Sequence, residues 1–310
     1  MAARTERVSW VGRIGPATAV LLAGWGLGQI ARDWTLPTAW LFYVPSLVWA
    51  LALALVAAMR RWRGRPAAAA AIGALAVLAV ELLVEHRWFP EVHRVGAASA
   101  EPIRLVHWNI SGGWREAEGQ LAKVRSLEPD LLVLSEANER AAGPYDAALD
   151  GFEVRTFGAL TVAARGQVDG EWIDRRRDLQ TVYARCRIDG RELGVLAVNL
   201  PSSLRIARGP LLEEVLARVA ERRPDLVVGD FNAPRRSRAL ARLPAGWRHA
   251  YVEAGRGWSA TWPQPAPLLA IDQLLVGPRL RVTGYRLLPG PGTDHRLQVA
   301  ELDALPVAAR

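Results

Sequence analysis

Apolar and polar positions along the chain follow two regimes that change over near residue 100. Before it, three long tracts run almost without charge: 14–31 (IGPATAVLLAGWGLGQIA), 38–59 (TAWLFYVPSLVWALALALVAAM) and 67–84 (AAAAAIGALAVLAVELLV). Each comes close to the roughly 20 residues a helix needs to cross the hydrocarbon layer. The pattern therefore predicts an all-α transmembrane region of three helices within residues 1–88. Glu81 lies near one end of the third tract, where a charge at the interface costs less than at the centre. Trp10, Trp34, Trp40, Trp62 and Trp88 fall near the ends of the tracts, the depth indole rings favour. A cleaved signal peptide does not fit, because the first tract is longer than its apolar core and two more follow.

Beyond residue 100 the apolar runs become short and stop at polar residues. IRLVHW (103–108) precedes Asn109, DLLVLS (130–135) precedes Glu136, and LGVLAV (193–198) precedes Asn199. DLVVGD (225–230) precedes Asn232, and IDQLLVG (271–277) opens on Asp272. Short Val/Leu/Ile-rich runs bounded by turn residues are buried strands. Residues 116–127 and 210–222 instead space their apolar positions by three and four, and Pro210 suits a helix start. The mixture predicts an α/β domain over 103–310, after a small, polar linker at 89–102.

Charge changes the picture in one respect. Residues 1–100 carry 10 Arg against 5 acidic residues, and the rest carry 29 basic against 26 acidic residues, so the excess of basic charge is not a property of the α/β domain. A net of +3 over that domain is small for gripping a long phosphate backbone. In short loops the arginine bias sets membrane orientation. Arg4, Arg7, Arg13, Arg60, Arg61, Arg63 and Arg65 fall on one side of a three-span arrangement, and Arg32, Arg87 and Arg94 on the other. With three spans this places the N-terminus in the cytoplasm and the α/β domain outside it, on a multi-pass protein of the cell membrane; with only the first two spans the domain would be cytoplasmic. The single Cys186 excludes an intrachain disulfide and a multi-cysteine zinc site.

The polar residues at the strand ends supply the chemistry. Asn109, Glu136, Asp230 with Asn232, Asp272, Asp294 and His295 would furnish one cleft with four carboxylates, two amides and an imidazole. Such oxygen-rich donors suit a hard cation, Mg²⁺ or Mn²⁺, better than zinc. Singly, each could be a turn or a cap; jointly they argue for phosphate chemistry.

WNIS (108–111), LSEAN (134–138), VVGDFNAP (227–234), IDQLLV (271–276) and GTDHR (292–296) stand in an order and spacing that resemble the endonuclease/exonuclease/phosphatase superfamily. Its members include pancreatic-type DNase, apurinic-site endonucleases, sphingomyelinases and inositol polyphosphate 5-phosphatases. The resemblance spans about residues 103–302 and implies a four-layered α/β sandwich with its site at one end. It implies that Glu136 is the main metal ligand, with Asn109 beside it and Asp294 a further acidic member. Asp230 would orient or deprotonate the attacking water, Asn232 hold a phosphate oxygen, and His295 stabilise charge, oriented by Asp272. The chain departs from the pattern at Ser135, where Gln is usual, and at Asn199, where many members have histidine. Asn199 could hold a phosphate oxygen, and Arg235 could contact phosphate.

The function these features favour is a membrane-anchored, metal-dependent phosphoesterase acting on a phosphate ester or pyrophosphate, most naturally of a lipid-linked or envelope substrate. Membrane-tethered bacterial members of the superfamily have a similar layout. The competing enzyme reading is a tethered nuclease acting on DNA or RNA, with Arg235, Arg236 and Arg238 after the GDFNAP loop as phosphate contacts; Trp258 and Trp262 could stack on a base or pack on a lipid chain. A third is a binding module that has lost its chemistry. No protein partner is implied.

Overall fold

The computed structural model describes residues 15–59, 65–88, 101–112, 116–137, 139–147 and 149–305. Nearly all of the expected linker, the start of the first tract, Arg60, Arg61 and Arg63, and Asn138 of the LSEAN motif lie outside these residues. The chain divides into two compact units, Met1–His86 and Arg87–Arg310.

The first unit holds α1 (Pro16–Ala31), α2 (Leu36–Tyr43), α3 (Ser46–Met59) and α4 (Arg65–Val80), the last prolonged by a π-helical turn, Glu81–Glu85. Thr35 and Thr38 cap α2 reciprocally, each hydroxyl accepting the other's backbone N–H. The expectation of three straight spans is corrected here. The second tract is two helices bent by 72°. Pro45 has no N–H to give, and Val44 before it is extended at φ −70°, ψ 119°, as a residue preceding proline prefers. The 16 residues of α1 reach about 24 Å, short of a hydrocarbon layer of about 30 Å. Among the described residues one straight helix, the 21 residues Arg65–Glu85, is long and apolar enough to cross a membrane, and the bent pair would be a second only if it acts as one broken span. Among the described residues helix length thus does not support a multi-pass region; it leaves one apolar helix of the length that an anchor or a signal sequence has.

The second unit is an α/β sandwich of two mixed six-stranded sheets. Its elements are β1 (Ile103–Asn109), α5 (Ala117–Arg125), β2 (Leu131–Ser135), α6 (Glu139–Asp146), β3 (Phe152–Phe157), β4 (Leu160–Arg165), β5 (Gln167–Arg175), β6 (Gln180–Ile188), β7 (Arg191–Asn199), α7 (Arg208–Arg222), β8 (Leu226–Asp230), β9 (Arg248–His249), α8 (Ala250–Ala254), β10 (Asp272–Val276), β11 (Leu280–Leu288) and β12 (Leu297–Ala304). One sheet has the order β11-β12-β1-β2-β4-β3, the other β5-β6-β7-β8-β10-β9. The β1–β2 and β7–β8 pairs are parallel and the rest antiparallel.

Strand alternation fixes which side chains meet. Leu105, Val133, Val162, Val195, Val228, Leu274 and Leu302 form a core between the sheets, while Val106, Trp108, Leu132 and Leu134 pack on the other face with Val124 of α5 and Tyr145 of α6. Helix α7 buries Leu211, Leu212, Val215 and Val219, the stripe its spacing predicts, and starts at Arg208, leaving Pro210 in the first turn. The same alternation puts Asn109, Asn199, Asp230 and Asp272 on the inner faces of their strands, each at the strand's site end.

Candidate active site

Register brings the polar ends together. Asp230 ends β8, with Asn199 of β7 beside it on one side and Asp272 of β10 on the other. This close fit needs Gly229: it has φ +154°, and a Cβ there would lie 1.8 Å from the carbonyl oxygen of Val198. No side chain could be placed there without displacing β7.

Asp230 is buried and densely bonded. Its Oδ1 accepts the backbone N–H of Asn232 at 2.8 Å. Its Oδ2 accepts Nδ2–H groups from Asn109 at 2.9 Å and Asn232 at 3.0 Å. Asn232 sits in the left-handed region at φ +46°, and its amide also donates to the Leu200 carbonyl. Asn109 is held in turn by the Ser111 N–H, which donates to its Oδ1 at 2.9 Å.

Asp272 and His295 form the second element, with Nδ1 to Oδ2 at 2.9 Å. Thr261 Oγ1 accepts the backbone N–H of Asp272 and steadies it, and the His295 carbonyl accepts from Trp108 Nε1 and Gln264 Nε2. One ligand atom each from Asp230, Asp272 and His295 lie within 4.8 Å of one another, a group that could hold a metal ion.

The charges follow from burial and pairing. Burial, reinforced by Asp272, pushes the Asp230 carboxyl up to about 7. Burial alone would strip His295 of its proton, but Asp272 overrides it and lifts the imidazole to about 9. Burial also works against the charge on Asp272, yet His295 holds its carboxyl below the usual range. With both acids ionised, two carboxylates share one imidazolium, and the raised pKa of Asp230 reflects that shortage of positive charge.

The remaining expected residues lie at differing distances from this group. Asp294 is half-exposed; its Oδ1 accepts from Ser111 Oγ at 3.0 Å and its Oδ2 from Trp262 Nε1 at 2.7 Å, and Oδ1 stands 3.9 Å from His295 Nε2. These donors and His295 outweigh burial and hold the Asp294 carboxyl below its ordinary value. Glu136 follows β2 at φ +54°, outside the Asp230–Asp272–His295 group. The buried Oδ1 of Asn199 has no hydrogen-bond partner. Arg235, expected to contact phosphate, turns inward instead. It is 7% exposed, its guanidinium lies 4.4 Å from the centre of the Tyr251 ring, and it donates to Ser259 Oγ at 3.2 Å.

Sequence reasoning missed His107. It is fully buried one step below Asn109 on the same face of β1, with Nε2 3.1 Å from Ser135 Oγ, and burial holds its imidazole down at about 4. The period of two was the available signal, since positions 105, 107 and 109 share a face. Thr261 carried none.

The Endonuclease/Exonuclease/phosphatase family model matches residues 106–295. The chain belongs to this family. It is accordingly a metal-dependent phosphoesterase, and it contains the buried Asp230–Asp272–His295 group, which could hold a metal ion. No curated protein matches the sequence. Among solved structures the fold is similar to a humanized TDP2 of D. rerio, at 17% identity and a TM-score of 0.58 over 65% of this chain and 99% of that one. A truncated Caenorhabditis elegans TDP2 gives 21% and 0.55 over 65% and 98%. The Bacteroides thetaiotaomicron mannosyl-6-phosphatase Bt3783 gives 14% and 0.51 over 65% and 99%.

Proposed function

We propose that this phosphoesterase is anchored in a membrane and uses Mg²⁺ or Mn²⁺ to hydrolyse a phosphate ester or pyrophosphate of a lipid-linked or envelope substrate. The observation that carries the chemistry is the charge deficit of the Asp230–Asp272–His295 group, whose carboxylates are buried with one imidazolium between them. The anchor reading rests on the apolar helix Arg65–Glu85, only 17 residues before β1. Arg60, Arg61 and Arg63 precede that helix and Arg65 opens it, against Arg87 and Arg94 after it, a bias that favours a catalytic unit outside the cytoplasm.

In this reading Asp230 orients the attacking water and takes its proton, a role its raised pKa suits near neutral pH. Asn199 donates to a phosphate oxygen, Asn232 does so by giving up one of its two amide N–H bonds, to the Leu200 carbonyl or to Asp230 Oδ2, and protonated His295, steadied by Asp272, neutralises charge as the P–O bond breaks. The donor set fits a hard cation, being mostly oxygen. Glu136 and Asn109, with Asp294, would hold it beside Asp230, and the Asp230–Asp272–His295 group is the alternative set. Such an ion supplies charge neutralisation on phosphate oxygens and a more acidic water.

Fold alone does not choose the substrate. The similar structures include a D. rerio TDP2 complexed with a single-strand DNA product as well as the sugar phosphatase, so DNA is a necessary arm of the test. Full-length protein in detergent is assayed with Mg²⁺ or Mn²⁺ on a polyprenyl diphosphate, a phospholipid, and single- and double-stranded DNA, with Asp230→Ala as control. Phosphate release from a lipid substrate that the control lacks supports the proposal. DNA cleavage without lipid hydrolysis overturns it in favour of a tethered nuclease.

A further inference from the structure

Arg235 sits three residues after Asn232, yet its guanidinium points away from solvent into a cavity of about 10 Å³ lined by Arg235, His249, Tyr251, Ser259, Asp272 and Tyr285. That volume suits one water, provided polar partners line it. They do: Oδ1 of Asp272 and Nδ1 of His249 are both buried without a hydrogen-bond partner. Burial, with Arg235 adding to it, holds His249 down at about 4, so Arg235 is the one cation on that lining near neutral pH.

The wall that holds Arg235 is itself fixed. The Tyr251 hydroxyl donates to the Gly257 carbonyl at 2.6 Å and accepts the Arg87 N–H at 2.8 Å, and Arg87 bridges to Gly257. The ring beneath the guanidinium is thus pinned at its outer end, and the planar cation lies over its face, where it is attracted by the ring's quadrupole.

We propose that Arg235 is a positioning residue: from behind the site it fixes the loop carrying Asn232 and, through one internal water, the free oxygen of Asp272. The carboxylate that orients His295 is then gripped on both oxygens, Oδ2 by the imidazole and Oδ1 from the cavity. This rests on Asn232 and Asp272 serving the reaction as proposed above. It replaces a phosphate contact by Arg235, which the inward geometry disfavours.

The test uses full-length protein in detergent with bis(p-nitrophenyl) phosphate and Mn²⁺, comparing Arg235→Ala, Arg235→Lys and the unaltered enzyme. A positioning role predicts that Arg235→Ala loses about 10-fold or more in kcat with KM within about 2-fold. It also predicts partial recovery in millimolar guanidinium, and an intermediate kcat for Arg235→Lys, which keeps the charge but not the planar fork. A rise in KM at unchanged kcat would overturn the proposal in favour of a substrate contact. Loss of activity that only tracks the folded fraction, read by thermal melting, would reduce Arg235 to a structural role. If Arg235→Ala does not fold, Arg235→Lys decides alone by the same kcat and KM criterion.

A second readout needs no turnover. The Nδ1–H proton of His295, bonded to Asp272, is followed by NMR after selective histidine labelling. A shift or loss of that resonance in Arg235→Lys, at unchanged melting temperature, supports the proposal even if this substrate is not hydrolysed. An unmoved resonance overturns it. Absence of turnover in the unaltered enzyme on every substrate counts against the functional reading and leaves this readout intact.

Discussion

Strand β8 is flanked by Asp225, the residue before it, and closed by Asp230, about 16 Å apart at the usual rise of a strand, and the two live differently. Asp225, at the end away from the site, is buried and fully engaged. It pairs with Arg279 at 2.6 Å, accepts the Gly194 N–H at 2.8 Å, and through its backbone holds Gly277. Asp230, at the other end, has amide donors but no arginine, and stands beside a second buried carboxylate. The first is a structural carboxylate with its countercharge built in; the second awaits part of its countercharge. Burial is the same, so burial alone does not mark a functional acid. What distinguishes it is the missing partner.

Removing the two acids one at a time should separate them most. Asp230→Ala should lower kcat by about 10³-fold or more while the protein still folds. Asp225→Ala should leave kcat near normal and cost about 1–3 kcal/mol of stability, because the Gly194 N–H is then buried without an acceptor. Equal activity losses at 225 and 230 would erase the distinction.

Metal addition sharpens it next. At about 100 times its dissociation constant, Mn²⁺ should stabilise the unaltered protein by about 2.7 kcal/mol, seen as a rise in Tm. The rise should be much smaller in Asp230→Asn and in Glu136→Gln, and unchanged in Asp225→Asn from a lower baseline. A full shift in Glu136→Gln together with a lost shift in Asp272→Asn would move the ion into the Asp230–Asp272–His295 group.

Proton binding offers two finer tests. His295 should titrate near 9 by NMR and fall well below that in Asp272→Asn, since burial opposes its charge and Asp272 is what overcomes burial. An imidazole unshifted in both would contradict the pairing. In EDTA, stability should also decline as pH rises. The folded pKa of His295 is raised, so its stabilising effect is complete below about 6.5 and is lost by about 9. Asp230, also raised, adds a decline that runs from its unfolded value of 3.8 up to about 7. The His295→Gln variant should lose the upper part of this slope, by roughly 2–4 °C in Tm per kcal/mol.

Much of the α/β unit was legible in the chain because its strands are short apolar runs that end on the polar residues of the candidate site. Asn109, Asp230, Asp272 and His295 were readable as one cleft for that reason, and the register brings them together. The hairpins β3–β4 and β5–β6 were less visible. Their outer strands β3 and β5 are half-exposed and interleave charge, as in FEVRTF and QVDGEWIDR, so neither period stands out. His107 was hidden in an apolar run. The inward turn of Arg235 depends on Tyr251, 16 residues on, and no local pattern carries such a contact. In the first unit, overall apolarity masked the breaker Pro45, whose effect is on backbone geometry and not on hydropathy.

Gly229 has a consequence for reading mutational scans of this chain. A saturation library would score position 229 as intolerant as Asp230 itself, because any added carbon collides with the Val198 carbonyl. Glycine has no side chain to do chemistry, so its intolerance would be an alignment constraint: it keeps two neighbouring strands in step and thereby sets how far Asn199 stands from Asp230. A second substitution that shortens or shifts strand β7 could relieve the first, whereas no change elsewhere would restore a missing carboxylate.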